Sequence, residues 1–300
     1  MRAFPEELRL TPARRPHLGV AGLDRCVAQT SRSAVSRASK PAPAMMLSGV
    51  PIWKSAAQQT WKSAPQISAS TKVRCARARP PVVFLFDVDN TLLDNDAVAL
   101  DLQKHLAEEV GAAGARRYWA LFEDLRRQLG YADYLGALQR YRTGYPRDLR
   151  LLTVSRFLID YPFASRLYPN SLNAIAHVQR WGPAALLSDG DVVFQPRKVD
   201  RSGLFQAVGG RVMIYVHKEL ELADVAKRYP AGHYVMLDDK LRLLEAIKKV
   251  WRRRVTTVFV RQGHYALDPA LAAASAPADK TIDRIGDLLK YKIEDFAISQ

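Results

Sequence analysis

From residue 81 onward, short apolar runs alternate with longer amphipathic stretches. The runs are VVFLF (82–86), AALL (184–187), VMIYV (212–216), HYVML (233–237) and VTTVFV (255–260). Each is too short for a buried helix and has the β-branched, aliphatic and aromatic content of a strand covered on both faces. The later runs are separated by helical patterns at about 194–201, 218–229 and 240–251, the last carrying Leu241, Leu244, Ile247 and Val250 at helical spacing. Strands alternating with helices predict a doubly wound α/β fold around a parallel sheet.

About a hundred residues between the first two runs break this rhythm. Residues 96–181 read as helices, with Leu100, Leu102, Leu106 and Val110 in the first and Tyr118, Leu121, Phe122 and Leu125 in the next. A small helical cap at 95–165, inserted after the first strand, accounts for them, and a crossover helix at about 170–181 returns the chain to the sheet. The expected organisation is a basic extension (1–80), an α/β core (81–94 and 166–300) and the cap.

Composition changes this picture mainly at the amino end. The net charge of +15 suggests an anionic partner, but residues 1–80 hold 14 Lys and Arg against Glu6, Glu7 and Asp24, leaving 31 against 27 beyond them. The basicity therefore belongs to the extension, which shows no sustained period and reads as unstructured. Its scarcity of acids and its Arg and Ser resemble an organellar transit peptide, without clean amphipathicity; the reading preferred over targeting is a dispensable tail or an overlong start, with Met45 or Met46 as later candidates. Without a basic stripe interleaved with aromatics, nucleic acid is disfavoured as a partner. The longest apolar stretch in the extension, Pro41 to Trp53, is broken by prolines and shorter than the ~18 residues of a membrane span. Cys26 and Cys75 lie in the extension, so a thiol nucleophile or cysteine zinc site is excluded from the core and a cytoplasmic setting is expected.

The candidate chemistry sits where apolar runs end. FLFDVDNTLLDND (84–96) carries an apolar strand straight into Asp87 and Asp89, with Thr91 behind them; LLSDGD (186–191) ends a strand at Ser188; YVHKEL places Lys218 after another; VMLDDK ends one at Asp238 and Asp239. In an open parallel sheet ligands bind beyond the carboxyl ends of the strands. Carboxylates gathered there need a cation, or one must keep its proton. The six histidines show no pair at ligand spacing and read as surface or core residues.

These four stations resemble the motifs of the haloacid dehalogenase superfamily, over nearly all of 81–300. The resemblance implies that Asp87 is a nucleophile forming an aspartyl phosphate and Asp89 the acid–base group. It further implies that Thr91, Ser188 and Lys218 bind the phosphoryl group, and that Asp87, Asp89, Asp239 and Asp238 hold Mg2+. Lys198 rivals Lys218 for the cation's role. The fourth station departs from the family pattern: the further acid often found four or five residues on is replaced by Leu243 and Leu244. The implied activity is hydrolysis of a small phosphate monoester. A phosphomutase on the same fold and a catalytically silent binding protein are the alternatives, while dehalogenation does not require the second acid, Asp89.

Overall fold

In the computed structural model, which describes residues 82–296, strand β1 (Val82–Phe86) lies near the middle of a six-stranded parallel sheet. The other strands are β2 (Ala184–Asp189), β3 (Val212–Tyr215), β4 (His233–Asp238), β5 (Val255–Val260) and β6 (Lys280–Ile282), in the order β3-β2-β1-β4-β5-β6. The order reverses at β1, which pairs with β2 through Phe86 and Leu186 and with β4 through Phe86 and Leu237. The carboxyl ends of β1, β2 and β4 are thus neighbours at the switch point, the usual binding crevice of an open α/β sheet.

Period-two alternation divides the strand side chains between two cores. Val82, Phe84, Phe86, Leu186, Val235 and Leu237 face one layer, whereas Val83, Leu85, Leu187, Tyr234 and Met236 face the other. Both faces of β1, β2, β4 and β5 are covered, which is why their runs are mostly apolar, whereas β3 at the sheet edge is half-buried. The expected extension, 1–80, lies outside the described residues. Among the described residues no helix is long and apolar enough to cross a membrane.

Three helices occupy the interval after β1: α1 (Asn95–Leu129), α2 (Tyr134–Gly144) and α3 (Arg150–Asp160). Asp94 caps α1 by accepting from the Ala97 amide at 2.9 Å, and Gly130 ends it in the left-handed conformation. The 35 residues of α1 are interrupted by a kink at Gly111, where φ is 76°. Its buried stripe runs Val98, Leu102, Leu106 and Val110, and Leu100 is half exposed, contrary to the sequence reading. Positions two apart on a helix differ by about 200°, so Leu100 cannot share the face of Leu102. Helix α4 (Ser171–Val178) then leads to β2.

Beyond β2 come α5 (Phe194–Arg201), α6 (Leu204–Ala207), α7 (Leu222–Arg228) and α8 (Leu241–Trp251). In α8 the buried face is Leu243, Leu244, Ile247 and Trp251; Val250, expected on it, is exposed. Trp251 stacks on Tyr234 at 4.2 Å between ring centroids and takes the place assigned to Val250. Strand β6 had no counterpart in the sequence reading. It is three residues long at a sheet edge, with a half-buried Lys280 and an exposed Thr281, so it lacks an apolar run.

Candidate active site

The turn after β1 brings the first acids together. The Leu92 and Leu93 amides both donate to Val88 O, and Asn90 adopts a positive φ of 59°, which Asn tolerates better than most residues. The Asn90 carboxamide accepts from the Asn95 and Asp96 amides, tying the turn to the first turn of α1. Gly263, after β5, presses on this turn: a Cβ there would lie 2.4 Å from Asn90 Cβ, and its φ of 73° also favours glycine. Next to it, His264 Nδ1 lies 2.6 Å from Asp96 Oδ1, joining the loop after β5 to the base of α1.

Asp87 is buried at the end of β1. Its Oδ1 lies 2.5 Å from Lys218 Nζ, and its Oδ2 accepts a long hydrogen bond of 3.3 Å from Thr91 Oγ1. Lys218 is fully buried beyond β3, and its ammonium also lies 2.6 Å from Asp238 Oδ2. Its backbone amide donates to Asp189 Oδ1 at 2.7 Å, which fixes the turn that delivers it. Burial alone would pull the Lys218 ammonium down, but Asp238, Asp87 and Asp189 outweigh it and hold the group charged.

At the end of β4 the two acids differ. Asp238 spends Oδ1 on the Lys240 amide at 2.8 Å and Oδ2 on Lys218. Asp239 is equally buried, yet neither of its oxygens has a hydrogen-bond partner. Burial pushes its carboxyl well above the usual range, opposed by Lys240. An unsatisfied buried carboxylate is costly unless something pairs with it. Ligand atoms of Asp87, Asp238 and Asp239 lie within 4.8 Å of one another, so the donor set fits a hard cation.

Ser188, near the end of β2, accepts from Gln195 Nε2 at 2.9 Å, and its own hydroxyl donates only a long bond of 3.4 Å to the Asp189 carbonyl, which an incoming phosphoryl oxygen can displace. The expected site residues Asp87, Thr91, Lys218, Asp238 and Asp239 are thus linked directly by bonds or proximity, and Ser188 stands on the adjoining strand end. The Asp89 carboxylate, expected among the metal ligands, lies outside the acidic cluster. It turns to Lys198 on α5, whose Nζ donates to Asp89 Oδ1 at 2.6 Å. The two rival lysines therefore both enter the site, Lys218 at Asp87 and Lys198 at Asp89.

Three participants carried no clear mark in the sequence. Asp189 stood beside Ser188 in LLSDGD, where adjacency was the only hint. Gln195 belongs to a short helix dense in polar residues, where it had no distinguishing neighbour. Lys240 follows the two acids directly; its ammonium lies 5.0 Å from the Tyr265 ring centroid.

Among solved structures, the chain is similar to a haloacid dehalogenase-like hydrolase from Burkholderia xenovorans LB400. Identity is 63%, the TM-score is 0.69, and the match covers 71% of this chain and 99% of that one. It is also similar to a haloacid dehalogenase-like family hydrolase from Xanthomonas campestris, at 16% identity and a TM-score of 0.51, covering 74% and 94%. A third likeness is to the L-2-haloacid dehalogenase from Xanthobacter autotrophicus, at 17% identity and a TM-score of 0.47, covering 69% and 96%. No family model and no curated protein matches. The chain belongs to the haloacid dehalogenase-like hydrolases.

Proposed function

We propose that this hydrolase cleaves a small phosphate monoester with the help of Mg2+, through an aspartyl phosphate on Asp87. The observation that supports it most is the pairing of Asp87 with Lys218 beside an Asp239 whose two buried oxygens have no protein partner. The presence of Asp89 favours phosphoryl transfer over dehalogenation, which has no need of a second acid.

In this reading an Asp87 oxygen forms the new bond to phosphorus while the bond to the ester oxygen breaks, and Asp89 gives that oxygen its proton. Asp89 then takes a proton from water, whose oxygen attacks phosphorus and releases inorganic phosphate and the Asp87 carboxylate. Lys218 holds Asp87 in place and offers positive charge to the phosphoryl oxygens, and Ser188 donates to one of them. Asp87, Asp238 and Asp239 would hold magnesium, which when bound offsets the charge of the phosphoryl group. A phosphomutase would use the same first half-reaction and differ only in the acceptor.

Hydrolysis of p-nitrophenyl phosphate should stop with EDTA and return with added magnesium. Asp239→Ala should raise the magnesium concentration for half-maximal rate more than Asp238→Ala does, because Asp238 already serves Lys218 and Lys240. Equal rates with and without chelator would refute the metal's part. A larger metal defect from Asp238 would exchange the two roles.

A chain beginning near Pro80 should keep its activity, since every residue named in the site lies beyond it. Loss of turnover on truncation, measured with the same ester, would give the extension a part in the enzyme.

A further inference from the structure

Resting on the phosphatase reading, we propose that Lys198 is a positioning residue for Asp89, and that Asn95 couples this role to the cap. Lys198 projects from α5 and is 1% exposed. Its ammonium donates to Asp89 Oδ1 at 2.6 Å and to Asn95 Oδ1 at 2.9 Å, and it lies 5.2 Å from the centroid of the Phe194 ring. A buried ammonium needs acceptors, and these two residues supply them. Among the described residues Asp89 Oδ2 has no hydrogen-bond partner, so one oxygen is anchored and the other is free to carry the proton.

Asn95 is the first residue of α1, and its Nδ2 donates to Tyr134 Oη on α2 at 3.4 Å. Tyr134 stacks on Phe122 of α1, with centroids 4.7 Å apart, and lies 5.3 Å from Phe194 of α5. The Asp89 anchor therefore has one partner on α5 and, through Lys198, a second at the root of the cap helices. Moving that root changes the acceptor set of Lys198, and hence how firmly Asp89 is aimed.

The chemistry separates this role from general support of the fold. As the ester bond breaks, its electron pair passes to the leaving oxygen, which takes the proton from Asp89 Oδ2. A p-nitrophenolate leaves readily without that proton, whereas a benzyl alkoxide needs it. The test compares kcat/KM of the full chain with magnesium on p-nitrophenyl, phenyl and benzyl phosphates, since kcat/KM stops at the first irreversible step and omits hydrolysis of the aspartyl phosphate.

Lys198→Gln should lose roughly tenfold to hundredfold more on benzyl than on p-nitrophenyl phosphate, and Asn95→Ala should lose in the same order by a smaller factor. In an Asp89→Asn background Lys198→Gln should add no further leaving-group dependence. Equal losses on all three esters, or added discrimination in that background, would overturn the proposal. If Lys198→Gln fails to fold, Asn95→Ala decides, and a leaving-group-independent result there also overturns it. A wild-type protein inactive on all three esters would defeat the phosphatase reading first and the proposal with it; active wild type with uniform losses defeats the proposal alone.

Discussion

Asp87→Asn should lower turnover by a factor on the order of 10⁴ or more while the protein stays folded. The amide has nearly the shape of the carboxylate but cannot attack phosphorus. Stability is preserved because Lys218 keeps its ion pair with Asp238, and because the variant removes one negative charge from a pocket where Asp238 and Asp239 lie close by. Rates on p-nitrophenyl phosphate measure the first effect and thermal unfolding the second. Wild-type protein stopped during turnover should carry its phosphoryl group on the Asp87 peptide. A stable adduct on any other residue would remove Asp87 from its role.

Lys218→Met should abolish turnover and cost about 3–5 kcal/mol of stability, the usual result of stripping a buried charge of its partner. For a domain of this size that corresponds to a fall in Tm of roughly 6–20 °C. Asp87 and Asp238 would both remain buried without their ammonium. The loss should depend on pH with a definite sign. Burial raises Asp238 and Asp239 above their unfolded values, so their cost is absent below the unfolded carboxylate range near ~3.9 and grows as pH rises through the raised folded values. The Lys218 ammonium, also raised in the fold, contributes fully at neutral pH and would be lost only on strong alkalinisation. The difference between wild type and variant should therefore be large at pH 7 and shrink on acidification. Denaturant unfolding at both pH values would show it, and a difference independent of pH would contradict the electrostatic account. Added magnesium should recover part of the loss, because the acids it would pair with are those left exposed to one another.

The parallel sheet was legible because β1, β2, β4 and β5 are buried on both faces and β3, though half-buried at the other edge, is still apolar, so all five appear as short, mostly apolar runs. Strand β6 was not, since an edge strand of three residues needs no such run. Site residues at strand ends could be read because an acid, a serine or a lysine there interrupts an apolar pattern abruptly, as Asp87, Ser188, Lys218 and Asp238 do. Gln195 and Lys198 were harder. They sit on a short helix dense in polar residues, where nothing along the chain distinguishes a side chain aimed at the sheet from one in water. Only the packing of Phe194 and Val199 into the core turns that face inward. Leu100 and Val250 were misplaced for a related reason: apolar residues were counted as if each belonged on the buried stripe, although single exposed leucines and valines are ordinary on a protein surface.

Gly111 bears on how far the first helix after β1 reaches. A straight helix of the 35 residues in α1 would run roughly 50 Å, well beyond the span of a small domain. Its far half would overhang α2 and α3 and leave Tyr118, Phe122 and Leu125 without cover. Nothing lies within 4 Å of where a Cβ at Gly111 would be, so room is not what calls for glycine there; the left-handed backbone is. One dihedral angle thus divides a rod into two spans short enough to share a single set of neighbours in α2 and α3.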